Sequence, residues 1–289
     1  MLHQQLGKLD LRLGEQPADA RMLWFSATKP VTAVAIHMLV ERGAFALDDR
    51  VCDYLPTYTG NGKERTTIRH VITHSAGIPF ATGPRVDLKR MDDSDYAREM
   101  LGRMRPVYPP GLMHMYHGVT WGPLVREIVL AATGRNIREI LATEILDPLG
   151  FRWTNYGVAE ADLPLVALSH PTGKPLPAPI ARAFKLAVGG TLHQIIPFTN
   201  TPAFLTSVVP SSSTVSNADE LSRFAEILCR GGELDGLRIM RPETLAAATA
   251  PARRLRPIKK DFSKNRETES AICRTALHRR ASLVLPGSW

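Results

Sequence analysis

The segment Ser26-Ala27-Thr28-Lys29 stands at the start of a strongly apolar helix that the sequence predicts over residues 27–42. A serine hydroxyl alone is a poor nucleophile, so it needs a base within hydrogen-bond reach. Residues i and i+3 lie on one face of a helix, so Lys29 is expected beside Ser26. The helix N-terminus favours developing negative charge, and burial of a lysine lowers the pKa of its amine toward the range in which it accepts a proton. The spacing suits an activated Ser-Lys pair, but by itself it also arises by chance on an amphipathic surface helix, so the surrounding residues decide between the two.

The residues that follow indicate a buried helix and not a surface one. Pro30 is tolerated because a first turn does not need its N–H, and Arg42-Gly43 supplies a basic last turn and a glycine stop. Apolar side chains recur at helical spacing between these two signals, at Val31, Val34, Ala35, Met38 and Leu39. A lysine at the start of such a helix is unusual unless it has a chemical role.

A series of collinear motifs accompanies this helix between about residues 22 and 250. They lie at residues 24–33, 48–56, 67–79, 108–111, 116–118, 209–211, 218–221 and 231–236. In this order they resemble the serine β-lactamase and penicillin-binding-protein superfamily, and within it most closely the class C-like carboxylesterases. The resemblance implies an α+β, β-lactamase/transpeptidase-like fold, in which an antiparallel sheet is flanked by helices and joined to a helical lobe.

Tyr116 is the second candidate catalytic residue, and it is implied by this resemblance. In the superfamily, a tyrosine that opens a Tyr-x-Asn motif lies beside the Ser-Lys pair and shuttles the proton; here the motif reads Tyr116-His117-Gly118. Glycine at the Asn position resembles the esterase branch, because lactam-binding branches use that Asn to hold the substrate amide. The residues alone leave open a tyrosine that is simply packed in the core. With the resemblance, the predicted catalytic residues are Ser26, Lys29 and Tyr116.

A third superfamily motif, Lys-Thr-Gly or His-x-Gly on a strand near the C-terminus, has no visible counterpart after residue 250. Residues 169–174 lie too early and in a proline-rich run unsuited to a central strand, and His278-Arg279-Arg280 has no glycine. In the family that strand supplies one oxyanion-hole N–H, and loss of one donor typically costs about 10²–10³ in rate. A catalytically defective relative is therefore an alternative.

These observations predict a serine hydrolase that cleaves carboxylic esters with short or medium acyl chains through an acyl-enzyme on Ser26. No cofactor is expected, and the partner is a small-molecule ester. The nearest alternative is a β-lactamase or D-alanyl-D-alanine peptidase, which Gly118 disfavours. His70 and His74 lie four residues apart but lack a third metal ligand, so no metal site is expected.

The positive charge of the chain is concentrated at its C-terminal end. The formal net charge is +8, and residues 251–289 hold 10 Lys+Arg against 3 Asp+Glu, which is seven of those charges. We expect a β-lactamase-like domain over residues 1–250 and a basic, irregular or aberrant tail over residues 251–289. The tail contains two aromatic residues and no nucleic-acid-binding module, so no specific nucleic-acid partner is predicted.

The N-terminal end is short by comparison with the family. Residues 8–13 alternate and predict one half-buried strand, where relatives carry more sheet, so we expect the sheet to be incomplete at both chain ends. No apolar run has membrane length and no secretion signal is visible, which makes a cytoplasmic location the default. Cys52, Cys229 and Cys273 have no metal spacing and are expected to be isolated thiols.

Helices are predicted over residues 27–42, 92–104, 117–133, 135–146, 217–230 and 242–249. Residues 155–212 contain many prolines and are expected to be loop-rich, and the resemblance implies that they wall the acyl pocket. Trp121 is expected in the core, and Ser211-Ser212-Ser213 in a solvated loop.

Overall fold

The structure, a computed structural model, describes residues 20–80 and 87–250. Its main sheet has four short strands in the order β2-β4-β1-β3, where β1 is Arg21–Leu23, β2 is Asn155–Tyr156, β3 is Val166–Ala167 and β4 is Thr214–Ser216. β4 runs antiparallel to β1 and β2, but β1 and β3 run parallel. The sheet is therefore mixed, and the expected antiparallel arrangement is wrong for this pair. A parallel pair needs a long crossover connection, which the helical lobe between β1 and β3 provides.

The helix that follows β1, α1, spans Thr28–Glu41 and agrees with the prediction. Most of its side chains are buried, including a continuous apolar set from Val31 to Leu39. Gly43 adopts a positive φ of 77° just after the helix, and its N–H donates to the carbonyl of Val40 at 3.0 Å. The next N–H, from Ala44, donates to the carbonyl of Leu39 at 3.0 Å. This pattern is a Schellman motif, which requires the left-handed conformation that glycine adopts without strain.

The other predicted helices are also present in the described residues. In chain order the helices after α1 are α2 Val51–Tyr54, α3 Ile68–Ile72, α4 Ser94–Arg103, α5 Trp121–Thr133, α6 Ile137–Leu141, α7 Ala178–Val188, α8 Leu192–Thr199, α9 Pro202–Leu205, α10 Ala218–Cys229 and α11 Pro242–Thr249. A single π-helical turn, Ala142–Leu146, continues α6. α5 begins four residues later than predicted, because the preceding segment bonds to the chain after α3: the Thr120 hydroxyl donates to the Ile78 carbonyl at 2.8 Å.

The expectation that residues 155–212 are loop-rich holds for residues 168–177 and 206–213, which form no helix or strand, but it is wrong for residues 178–205, which are mostly helical. The whole stretch contains the helices α7, α8 and α9, together with a 3-10 turn at Glu160–Leu165. Pro179 and Pro202 lie in the first turns of α7 and α9, where the missing N–H has no intrahelical partner to lose. Pro179 and Pro202 thus mark where helices begin, whereas Pro171, Pro175 and Pro177 lie in the irregular residues 168–177 and Pro197 lies inside α8.

A buried ion cluster joins two helices of the lobe. The Glu127 carboxylate on α5 is fully buried and accepts from Arg126 Nε at 2.9 Å and from Arg98 Nε at 2.7 Å. It also accepts from the Ser94 hydroxyl at 2.8 Å. Because Ser94 and Arg98 belong to α4, the cluster fixes α4 against α5. Breaking such a cluster on one side is costly, since a buried charge loses its partner.

Several predicted features lie outside the described residues: the strand at 8–13, the tail at 251–289 with Cys273, and the region searched for the third motif. Within the described part, Cys52 and Cys229 are free thiols. None of the helices at 20–80 or 87–250 is long and apolar enough to cross a membrane.

Candidate active site

Ser26 lies in a tight turn between the sheet and the buried helix. A 3-10 turn at Phe25–Ala27 connects β1 to α1, and the N–H of Ala27 donates to the Trp24 carbonyl at 2.9 Å. Phe25 adopts a φ of 44°, a left-handed conformation that bulky side chains rarely take. The sharp turn leaves Ser26 exposed at the start of α1 while Leu23 and Thr28 on either side are buried.

Lys29 is buried one helical turn after Ser26. Its Nζ donates to the Tyr116 hydroxyl at 2.7 Å and to the Ser211 carbonyl at 3.0 Å. No carboxylate contacts Nζ within the described residues, and burial lowers the pKa of Lys29 to about 7. A lysine with this pKa is neutral in a large fraction of molecules at neutral pH, so it has a lone pair available to accept a proton.

Tyr116 connects the lysine to the serine. Its hydroxyl donates to Ser26 Oγ at 2.6 Å, which completes a path of two hydrogen bonds from Lys29 to Ser26. Burial raises the pKa of Tyr116, and the hydrogen bond to Ser26 offsets this only in part. A stable phenolate is thus disfavoured, and the tyrosine is suited to passing a proton between its two neighbours. The structure brings all three sequence-predicted residues together.

Ser211 is a part of this site that the sequence prediction missed. The run Ser211-Ser212-Ser213 was expected in a solvated loop, but Ser211 and Ser213 are buried, so that expectation is wrong. The Ser213 hydroxyl accepts from the N–H of Val209 at 2.9 Å, which folds the run into a tight turn before β4. Gly122 makes room for it, because a Cβ there would lie 2.6 Å from Ser211 Oγ. This turn leads directly into β4, and β4 pairs with β1, the strand that precedes Ser26, so the Ser211 carbonyl lies within hydrogen-bond reach of Lys29.

An apolar cavity of about 350 Å³ opens beside Ser26. Its walls include Phe184 and Val188 of α7 and Leu192, Ile195 and Phe198 of α8. The resemblance implied that residues 155–212 wall the acyl pocket, and two helices of this stretch, α7 and α8, do line the cavity. A cavity of this size lined by aliphatic and aromatic side chains suits an apolar group of a small ligand.

Gly118 lies between Tyr116 and the end of α7. A Cβ at this position would lie 2.5 Å from the Ala187 carbonyl oxygen and 3.5 Å from Cε1 of Tyr116. A side chain here would therefore collide with the backbone of α7. The glycine that replaces the superfamily asparagine allows α7 to close over the cavity.

The histidines near the site are engaged in structural hydrogen bonds. His70 Nδ1 accepts from the N–H of Thr67 at 3.1 Å, and His74 Nδ1 accepts from the N–H of His117 at 3.1 Å. Among the described residues, no group of three or more His, Cys, Asp or Glu side chains is placed to hold a metal ion. Trp121 is buried, as predicted, and its ring stacks against His74.

A serine, a buried lysine and a tyrosine joined by hydrogen bonds, on a helical lobe beside a small mixed sheet, are typical of the serine β-lactamase and penicillin-binding-protein superfamily. The family model described as "Beta-lactamase" matches residues 7–264, and the chain belongs to this family.

Similar proteins include esterases and penicillin-binding-protein homologues. The chain is 28% identical to the esterase/beta-lactamase LipL of Mycobacterium tuberculosis over 83% of its own length and 58% of LipL. It is 26% identical to the esterase EstB of Burkholderia gladioli over 77% of its own length and 59% of EstB. A penicillin-binding-protein homologue from Caulobacter crescentus superposes with a TM-score of 0.72 at 29% identity, covering 83% of this chain and 64% of the homologue. The chain thus spans less than two thirds of the length of each of these relatives.

Proposed function

We propose that this protein cleaves carboxylic esters through an acyl-enzyme on Ser26. The observation that carries the proposal is the path from Lys29 Nζ through the Tyr116 hydroxyl to Ser26 Oγ, with steps of 2.7 and 2.6 Å. Membership of the family supports a hydrolase, and the relatives named as esterases support ester hydrolysis.

In the acylation step, Ser26 Oγ attacks the ester carbonyl while its proton passes to the Tyr116 oxygen. The Tyr116 proton passes at the same time to the neutral amine of Lys29, because burial brings the pKa of that amine to about 7. The resulting ammonium keeps its hydrogen bond to the Ser211 carbonyl. The resemblance implies that the Ser26 N–H is one donor to the developing oxyanion, and the helix N-terminus favours the same charge.

Collapse of the tetrahedral intermediate returns the proton in the opposite direction. Lys29 gives a proton to the Tyr116 oxygen, and the Tyr116 hydroxyl protonates the leaving alkoxide oxygen, which departs as the alcohol. A water molecule then attacks the acyl-enzyme and loses its proton along the same path. Ser26 regains its hydroxyl hydrogen, and the acid is released.

The cavity beside Ser26 suggests the class of acyl group. Its lining is largely apolar and includes Phe184 of α7 and Ile195 of α8. Burial of one methylene contributes about 0.8 kcal/mol, or roughly fourfold in kcat/KM while the cavity still has room. We therefore propose esters with short to medium aliphatic acyl chains.

The test is hydrolysis of p-nitrophenyl esters from acetate to decanoate by the wild type, by Ser26→Ala and by Ser222→Ala. Ser222 is an exposed serine on α10 and serves as the matched control. We expect turnover by the wild type and by Ser222→Ala, with kcat/KM rising over the first added methylenes, and only background hydrolysis by Ser26→Ala. Turnover that survives in Ser26→Ala would contradict the proposal. A folded wild type without turnover would also contradict it, and would indicate a catalytically defective member of the family.

A β-lactamase or D-alanyl-D-alanine peptidase is the second candidate, since the relative LipL is named as both an esterase and a beta-lactamase. Gly118 disfavours it, because lactam-binding relatives hold the amide with an asparagine at that position. Nitrocefin and a D-alanyl-D-alanine peptide, assayed beside the esters, separate the two. A kcat/KM for either that exceeds the best ester would reverse the order of the candidates.

A further inference from the structure

His74 adopts an unusual backbone conformation directly after a short helix. α3 ends at Ile72, and His74 has a φ of 55°, in the left-handed region. Glycine is the usual residue in this region after a helix, and only a few per cent of non-glycine residues adopt it, with Asn, Asp and His enriched among them. A residue kept in such a conformation is often held there by contacts that the site requires.

The backbone and the ring of His74 bond to both neighbours of Tyr116. The His74 carbonyl accepts from the N–H of Met115 at 3.0 Å. Its Nδ1 accepts from the N–H of His117 at 3.1 Å, so the peptide units on the two sides of Tyr116 are fixed to one residue. The left-handed conformation points the carbonyl and the ring to the same segment.

The ring of His74 also packs on the ring of Tyr116, the residue whose two neighbours His74 bonds. The His74 and Tyr116 ring centroids lie 5.0 Å apart, and Trp121 stacks on His74 with centroids 6.0 Å apart. Burial lowers the pKa of His74 to about 2, and the nearby His117 and Lys29 act in the same direction. The ring is therefore neutral at any assay pH near 7, and Nδ1 remains a hydrogen-bond acceptor. The contacts of His74 are to the main chain beside Tyr116, to the Tyr116 ring and to Trp121, and its Nδ1 is occupied by the N–H of His117.

We propose that His74 is a positioning residue: it holds the main chain on both sides of Tyr116, and so keeps the phenol oxygen in hydrogen-bond reach of both Lys29 and Ser26. The inference rests on the proposed function. Its consequence is that loss of the ring acceptor slows the chemical step, because a misplacement of about 1 Å at a reacting group costs on the order of 10²-fold in rate.

The test uses two replacements of His74 and one control on α3, the helix that precedes it. His74→Asn retains a γ-branched acceptor close to the position of Nδ1 and tolerates a positive φ, whereas His74→Ala loses both properties. His70→Ala is the control, since His70 accepts from Thr67 in the first turn of α3 and its removal costs a helix cap. Each variant is assayed for kcat and KM on the best ester, for the rate of labelling by a fluorophosphonate, and for its midpoint of thermal unfolding.

We expect His74→Ala to lose about 10- to 100-fold in kcat and in labelling rate, with KM changed by less than about threefold. His74→Asn is expected to recover to within about fivefold of the wild type. His70→Ala is expected to lose thermal stability without this loss of kcat, which separates a stability effect from a positioning effect.

Two results overturn the inference: a kcat of His74→Ala equal to that of the wild type, or a loss in His74→Asn as large as in His74→Ala at equal thermal stability. A wild type that neither labels nor turns over ester overturns the proposed function, and this inference falls with it. An active wild type with an unaffected His74→Ala overturns the positioning role alone.

Discussion

Replacement of Lys29 by methionine should change how the stability of the protein depends on pH. The pKa of Lys29 is about 7 in the folded protein, against a usual value of 10.5. Between these two values the unfolded chain holds a proton that the folded protein has released. Stability therefore rises with pH across this window, and it is independent of Lys29 below pH 7, where both states are protonated.

The magnitude follows from the width of the window. Each pH unit within it is worth about 1.4 kcal/mol for one group, so the whole window amounts to about 5 kcal/mol. Between pH 6 and pH 9 the contribution of Lys29 is about 2.5 kcal/mol. Methionine has a similar shape and does not titrate, so the wild-type minus Lys29→Met difference in unfolding free energy isolates this residue from other titrating groups. Loss of the donor to the buried Ser211 carbonyl costs about 1–3 kcal/mol at every pH and does not alter the trend.

The assay is urea unfolding of both proteins at pH 6 and pH 9, followed by tryptophan fluorescence and circular dichroism. We expect the difference in unfolding free energy to move by about 2.5 kcal/mol in favour of the wild type as the pH rises from 6 to 9. A difference that stays constant within about 0.5 kcal/mol would show that Lys29 is charged throughout. The reasoning that makes it a base at neutral pH would then be refuted.

Three further predictions concern the relay, the cavity and the lobe. Tyr116→Phe should lower kcat for esters by about 10²–10⁴ in steady-state kinetics, because the path loses its central proton carrier. Gly118→Ala should lower kcat/KM for octanoate about tenfold relative to acetate, because the new Cβ, 2.5 Å from the Ala187 carbonyl, displaces α7 from the cavity. Glu127→Ala should cost about 3–5 kcal/mol in urea unfolding, whereas Glu139→Ala, at an exposed ion pair, should cost under about 1 kcal/mol.

Each of these has a clear contrary result. An undiminished kcat in Tyr116→Phe would mean that the proton reaches the lysine by another route. Equal losses on acetate and octanoate in Gly118→Ala would place the damage at the reacting groups and not in the acyl cavity. Similar costs at Glu127 and Glu139 would show that the buried cluster does not fasten α4 to α5.

The parts of the site that the sequence predicted from its residues are those that depend on local geometry. Ser26 and Lys29 are three residues apart, and helical periodicity alone places them together. Tyr116 is 87 residues from Lys29, and only the resemblance to a known family supplied it. Ser211 is 182 residues from Lys29 and contributes a main-chain carbonyl, which leaves no signal in residue type.

The errors in the predicted fold also arise where the structure depends on contacts between residues far apart in the sequence. Pro179 suggested irregular backbone, but a proline in a first turn is compatible with a helix, and the local sequence does not distinguish the two cases. The serine run at 211–213 suggested a solvent-exposed loop. Ser211 is buried because Gly122 leaves room for it, and Gly122 lies on a helix far away in the sequence. Strands of two or three residues, such as β2 and β3, are too short for alternation to reveal their partners or direction.

The proposed function requires Ser26 to be an activated nucleophile. The most direct measurement is the intact mass of the protein after exposure to a fluorophosphonate, for the wild type, Ser26→Ala and Ser222→Ala side by side. We expect one adduct on the wild type and on Ser222→Ala, and none on Ser26→Ala at equal thermal stability. An unmodified, folded wild type, or an adduct that persists in Ser26→Ala, would contradict this requirement.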